Sequence, residues 1–540
     1  MISPNEQDQK RFLVVDDLAE MRSALRTQLG SLGYNNVAIA DSVRMALEHL
    51  EQQGPFDVIL CDYYLGGSTD GQQFLEHLRS KKLLRRSTLF IMITAEKAYT
   101  SVVTAAESLP DDYLIKPFTA DTLKLRLQHL MDKKARLIKV DQLQDKERWA
   151  DVITECDTII ASGDRYKADA MRIRGQALLA CGRNDEALAF YQKVIDIRPM
   201  PWARLGLARA QQAMNQFDDC KATLLTLIEE APQLLAAYDL LSRVQVAQGE
   251  PDAALQTLDK ASSIAPDSLP RLRAIAKVAE RQSDFDRVKT ALHRVVKKTQ
   301  NSPLRDTRDV AQLSNAYAES GEPDVALSLI DEARKQYKSD LRAPELAAVE
   351  ALAHHKAGRT EQAQAALAVA LQADATSLTP ETAVNLARAC LATGKQDAGE
   401  AILKQVMQNN PNAVELQTHV SDVMSTYASP ERASALLEEC VSEVVALNNE
   451  AVRLARERQY NEAARMLSEA ASRLPGNAQI VGNAAMALLT DVYNTGLDAD
   501  KLRRAVQFQQ RFQSLDPSST KHKDIAELQR RIRTRYSSAS

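Results

Sequence analysis

Turn-type residues recur along most of the chain at nearly constant spacing: Gly182, Asn215, Gly249, Ser283, Gly321, Gly358 and Gly394 lie 33, 34, 34, 38, 37 and 36 residues apart. A fixed period constrains the fold more than any single segment does. It obliges the chain to build one supersecondary unit repeatedly and to bury each unit against its neighbours. Ala187, Ala254, Ala326 and Ala363 each follow one of those glycines by five residues, and helical stripes end near Pro199, Pro232, Pro266 and Pro411. Glycine ends one helix through left-handed backbone, alanine lets the partner helix cross closely, and proline closes the pair. The repeat is therefore a helical hairpin, and residues 149–520 are expected to hold about nine or ten of them, some divergent. A capping helix and tail are expected over 521–540.

The period does not reach the N-terminus. The chain has 540 residues, far beyond what one hydrophobic core usually covers, so a separate domain ahead of the array is expected. Short apolar runs alternate with helical stripes from residue 11 to about 131. The strand-like runs are "RFLVV" (11–15), "VAIA" (37–40), "FDVILC" (56–61), "TLFIMI" (88–93) and "DYLI" (112–115). The first helical stripe is Leu18, Met21, Leu25, Leu29 and Leu32, and Ser42 is placed to cap a second helix carrying Val43, Ala46, Leu47 and Leu50. Further stripes are Phe74, Leu75 and Leu78, a stretch near 97–107, and Leu123, Leu127 and Leu130. Such alternation predicts an α/β domain over 10–132, a five-stranded parallel sheet covered by helices on both faces. Residues 1–9 are expected as a flexible start and 133–148, with few helix breakers, as a helical linker that transmits between domains.

In open α/β sheets ligands bind beyond the carboxyl ends of the strands. Asp16 and Asp17, Asp62, Thr94 and Lys116 each end a strand. Three carboxylates form a hard-oxygen cluster suited to Mg²⁺. The lysine and hydroxyl are placed to hold phosphoryl oxygens, where positioning and charge neutralisation dominate catalysis.

Taken in order, "VVDD", "ILCD", "ITA" and "YLIKPF" resemble the receiver domain of bacterial two-component response regulators, a flavodoxin-like fold with strand order 2-1-3-4-5. The resemblance implies that Asp62 is the phosphoacceptor, served by a cognate histidine kinase or histidine phosphotransfer protein. It implies Mg²⁺ on Asp16, Asp17, Asp62 and the backbone carbonyl of Tyr64. Thr94 and Lys116 would bind the phosphoryl group, Tyr113 would be the switch aromatic, and Pro117 would follow a cis peptide bond. Two departures stand out. Gly66 occupies a position where the family often has proline, in a loop one residue longer than usual, and Tyr64 is bulky enough to shield the phosphoryl group from water. The dephosphorylation rate is left open by these changes.

The helical part resembles the tetratricopeptide repeat over about 145–517, with Ala168, Gly175, Gly182, Ala187, Tyr191 and Pro199 at that family's small, aromatic and proline positions, and a further good unit at "YNEAARMLSEAASRLP" (460–475). The implied architecture is an all-α superhelix whose concave surface takes a protein or peptide.

The remaining features narrow the function. A net charge of −4 and a pI near 6.2 give no general attraction to nucleic acid or anionic membrane. No compact basic helix-turn-helix follows residue 132. Six scattered cysteines without CxxC spacing suggest neither a disulfide framework nor a zinc site, and a polar start without an apolar span fits a cytoplasmic protein. Cys61 reads as a small apolar residue, "GGSTDG" (66–71) as a flexible connection, His354 and His355 as helix decoration, and "ELQRRIRTRY" as part of a soluble cap. The expected function is a non-enzymatic, phosphorylation-switched adaptor. A constitutive scaffold, with the receiver used for docking or homodimerisation, and a transcription regulator are the alternatives.

Overall fold

The computed structural model describes residues 9–66, 69–95, 110–266, 268–300, 302, 304–336, 343–373, 378–517 and 519–537. The helical stretch expected near 97–107 lies outside them. The chain divides into two compact units, Met1–Asp309 and Val310–Ser540.

Met1–Asp309 opens with β1 (Phe12–Val15), α1 (Ala19–Ser31), β2 (Val37–Ala40), α2 (Val43–Gln53), β3 (Val58–Asp62) and α3 (Gly71–Ser80). β4 (Leu89–Thr94), β5 (Asp112–Ile115) and α4 (Ala120–Asp145) follow. Among the described residues the strands form one parallel sheet in the order β2-β1-β3-β4-β5. β1, β3 and β4 are buried on both faces, which is why they read as continuous apolar runs rather than alternations. The side chains nevertheless sort by strand parity. Phe12, Val14, Leu60 and Ile91 pack with Leu25, Leu29, Leu123 and Leu127 on one face, whereas Leu13, Ile59, Phe90 and Met92 pack with Phe74, Leu75 and Leu78 on the other. Leu18, expected in the first helical stripe, is instead the residue before α1 and is 56% exposed. Ser42 caps α2 by accepting the Met45 N–H at 3.4 Å.

α4 joins this sheet domain to the repeats. Its 26 residues extend about 39 Å as one helix. Its first half buries Leu123, Leu127, Leu130 and Met131 against the sheet, and its second half buries Leu137 and Val140 against Val152, Ile153 and Cys156 of the next helix, Trp149–Ala161. Residues 133–145, expected as a linker, are therefore also one side of the first packed hairpin, because Leu137 and Val140 are apolar at the spacing that faces a partner helix.

All seven recurring turn residues adopt left-handed backbone, from Ser283 at φ +55° to Gly321 at φ +85°. Glu147 (φ +54°) and Arg458 (φ +64°) hold the same conformation between paired helices, where no glycine or asparagine marks the turn in the sequence. Tyr191 shows why small residues recur in the array. It is 2% exposed and lies between Gly175 and Gly206, and a Cβ at either glycine would strike its ring.

Val310–Ser540 continues in helix. One helix there, Pro430–Arg456, runs for 27 residues without a break, because no glycine or proline follows Pro430 within it. The last helix, Lys521–Ser537, buries Ile525 and Ile532 against a cluster that includes Phe512 and Leu488.

Candidate functional site

Strand register assembles the first site. Val15 of β1 pairs with Cys61 of β3, so Asp16 and Asp62 leave the sheet at the same level. Asp62 pairs with Ile93, one residue before Thr94, and Thr94 pairs with Ile115, one residue before Lys116. Residues separated by up to a hundred positions thus meet on one rim because parallel strands all end on the same side.

The carboxylates of Asp16, Asp17 and Asp62 each bring an oxygen within 4.8 Å of the others. Among the described residues they are the one group of three or more acidic, histidine or cysteine side chains that converges in this way. Lys116 Nζ donates to Asp62 Oδ2 at 2.8 Å and to Asp16 Oδ2 at 3.1 Å. Asp16 is fully buried, accepts the Leu18 N–H at 2.9 Å, and gives its carbonyl to Arg22 at 2.6 Å. These bonds fix the first carboxylate before any ion arrives.

Burial pushes the Asp62 carboxyl above its ordinary value and Asp16 adds to the push, while Lys116 opposes it. Burial works against the Lys116 charge too, but its pairing with Asp62 and Asp16 outweighs burial and holds the ammonium above its usual range. The set is a compact, desolvated arrangement of anions around one cation. All-oxygen donors with one lysine suit a hard divalent ion and a phosphoryl group, and do not suit a soft metal.

Other residues take their places around the rim. Thr94 is 1% exposed, and its carbonyl accepts the Lys116 N–H at 2.7 Å. The Lys116–Pro117 peptide bond is cis. Tyr113 is half-buried on β5 and its hydroxyl meets no hydrogen-bond partner among the described residues, so burial raises its pKa. Tyr64 is 47% exposed and stands edge-on to Tyr63 with ring centroids 5.0 Å apart. Gly66 has φ +62° and lies against the Asp17 carboxylate, where a Cβ would collide. A residue with a side chain would meet both obstacles there. Cys61 is fully buried, and burial drives its thiol well above the ordinary range, which disfavours a reactive thiolate.

The stretch 66–71, expected as a flexible connection, is anchored at its end. Asp70 accepts the Gln73 N–H at 2.8 Å while the Gln73 side chain accepts the Asp70 N–H at 3.2 Å, a capping box that starts α3. The spacing of Asp70 and Gln73 carried that signal in the sequence. Thr69 is 6% exposed, for which no sequence signal exists.

A second candidate lies within Val310–Ser540. A cleft of about 200 Å³ is lined by Asn448 and Val452 of the long helix, Leu467, and Asn483 and Met486 of the helix Ala478–Thr495. Asn483 donates to Asn448 Oδ1 at 2.6 Å and accepts from Lys521, whose ammonium burial pushes down. Sequence reasoning missed this set because its members are 35 and 38 residues apart on three helices, with no local motif.

Comparison with known proteins finds two families along the chain, which meet between residues 128 and 148. Residues 12–128 match the response regulator receiver domain. Residues 148–199, 174–244, 235–260 and 380–405 match tetratricopeptide repeat models. Chemotaxis protein CheY-3 of Vibrio cholerae serotype O1 is 34% identical over 123 residues, which are 23% of this chain and 92% of that protein. Chemotaxis protein CheY of Pseudomonas aeruginosa is 32% identical over 123 residues, 23% of this chain and 97% of that protein. A solved structure of Pseudomonas aeruginosa pilF aligns with 41% of this chain and 97% of its own at 16% identity and a TM-score of 0.27. Through residues 12–128 the chain belongs to the response regulator receiver family, and it is a two-component response regulator carrying tetratricopeptide repeats.

Proposed function

We propose that Asp62 accepts a phosphoryl group from a histidine kinase or histidine phosphotransfer protein, and that the repeat array binds a protein partner according to whether Asp62 is modified. The convergence of Asp16, Asp17 and Asp62, with Lys116 bonded to Asp16 and Asp62, carries this reading. A carboxylate oxygen of Asp62 attacks phosphorus, the bond from phosphorus to the donor's imidazole nitrogen breaks, and the imidazole leaves. Lys116 follows the phosphoryl oxygens, and Thr94 at the end of β4 offers them its hydroxyl. Asp16, Asp17, Asp62 and the Tyr64 carbonyl would hold Mg²⁺, which neutralises the charge on the transferring group. Tyr113 responds to the modified rim from β5, and Pro117 shapes the turn after Lys116.

The chain acts as a signalling adaptor and not as a turnover enzyme, and its place is the cytoplasm. Among the described residues no helix is long and apolar enough to cross a membrane. For the partner, the Asn448–Asn483 amide pair and the Lys521 ammonium favour a peptide segment that brings a carboxylate to the rim of the cleft. Intact-mass spectrometry after treatment with acetyl phosphate and Mg²⁺ tests the chemistry. A gain of about 80 Da in the wild type that is missing from Asp62→Ala is expected. A wild type that gains no mass refutes the reading.

A further inference from the structure

The loop that leaves β3 is held at its base, inside and outside. The Gly71 N–H donates to the Tyr63 carbonyl at 2.8 Å, and Gly71 packs so closely under the Asp62 carbonyl that a Cβ would strike it. Leu65, 7% exposed, points into the apolar cluster with Leu13, Val15 and Phe74. Between these two anchors the Thr69 hydroxyl donates to Ser302 Oγ, 233 positions away in the repeat array. Both residues are more than nine-tenths buried, at 6% and 3% exposure.

Ser302 belongs to the connection between the helices Phe285–Thr299 and Thr307–Glu319. Its Oγ also accepts the Leu304 N–H at 3.0 Å, and its own N–H donates to the Thr299 carbonyl at 3.0 Å. One serine therefore organises the turn and receives the receiver's loop. Gln72 and Gln73, at 9% and 6% exposure, show that the first turn of α3 is covered as well. Receiver and turn lie in the same compact unit, Met1–Asp309.

We propose that the Thr69–Ser302 hydrogen bond is a latch through which modification of Asp62 acts on the array: with Asp62 phosphorylated, Thr69 withdraws and the turn that Ser302 forms with Thr299 and Leu304 is released. This rests on the phosphoacceptor reading of Asp62. The physical reason is crowding at the rim. Gly66 already lies against the Asp17 carboxylate, and Lys116 already bridges Asp62 and Asp16. A phosphoryl group brings three acceptor oxygens and additional negative charge. Lys116 is drawn toward that charge and stays, so the displacement falls on Thr69. Gly71 and Leu65 on either side are tied into the receiver, whereas Thr69 between them meets the array and gives way. The coupling is reciprocal, so an array held in its released form favours the modified receiver.

Hydrogen exchange on the full chain tests this, with Mg²⁺ and beryllofluoride supplying a stable stand-in for the phosphoryl group. Wild type, Thr69→Val, which loses the hydroxyl and keeps the branched shape, and Thr69→Ser, which keeps the donor, are compared. In wild type, beryllofluoride is expected to protect 62–71 and to speed exchange over 299–306 by about threefold or more. Thr69→Val should show the faster 299–306 exchange without beryllofluoride, and Thr69→Ser should follow wild type. Protection of 62–71 with 299–306 unchanged would overturn the latch and leave Asp62 as the acceptor. Absence of any change at 62–71 would overturn both.

Discussion

The receiver and the repeat array use side chains in opposite ways. In the receiver, parallel strands bring Asp16, Asp62, Thr94 and Lys116 to one rim, and the proposed phosphoryl chemistry calls on each of them. In the array, Gly175, Tyr191 and Gly206 set how closely helices approach. A sheet concentrates function because its strand ends share an edge. A solenoid distributes function because each hairpin meets only its neighbours. The two regions should therefore fail differently when mutated: the first by losing an activity while staying folded, the second by losing stability.

The largest expected contrast comes from Asp62→Ala, which should abolish the mass gain with acetyl phosphate while leaving the thermal midpoint within a few degrees. Lys116→Met should slow the gain by about 100-fold. If either variant unfolds the receiver, the separation of activity from stability breaks down. Next is Tyr191→Ala in the array. Removing a fully enclosed aromatic between two glycines should cost about 3–5 kcal/mol in urea unfolding, with the rate of Asp62 modification unchanged below the transition.

Asp141 sharpens the comparison at the junction, since it sits on the half of α4 that belongs to the array. Burial raises its carboxyl to about 6, and Lys134 at 3.9 Å only partly offsets this. The folded state holds the proton more tightly than the unfolded chain, whose carboxyl ionises near 4. Stability is thus highest below about pH 4, falls as pH rises toward about 6, and then levels off. Asp141→Asn should accordingly stabilise by about 2 kcal/mol above pH 6 and by nothing near pH 4, read from urea midpoints across that range. A flat difference between the two proteins would show that Asp141 is solvated.

The smallest effect concerns Glu147, a side-chain-bearing residue in left-handed backbone at φ +54°. Glu147→Gly should stabilise by about 0.5–1 kcal/mol. Its exposed ion pair with Lys82 at 2.7 Å is lost in the process and is worth little. A loss of stability would mean that this pair contributes more to the junction than its exposure suggests.

Much of the molecule is legible in its sequence. The alternation of apolar runs predicted every described strand, and Gly182, Gly249, Gly321, Gly358 and Gly394 marked their turns because left-handed backbone selects glycine. Glu147 and Arg458 take that conformation without advertising it, since tertiary packing can hold an unfavoured residue there. The rim residues could be picked out because each ends a strand, whereas Thr69 and Ser302 could not. A buried threonine in a polar loop and a serine in a turn look like any others, and only contact gives them meaning.

Amino-acid order alone decided the two architectures and the chemistry of the rim, because periodicity and strand-end residue type are local properties that a chain carries with it. Tertiary structure decided the rest: that one helix serves two cores through Leu127 and Val140, that Lys116 bridges two carboxylates, and that Thr69 meets Ser302 of the array. These depend on distances between residues far apart in the chain, which come into being only when packing sets them.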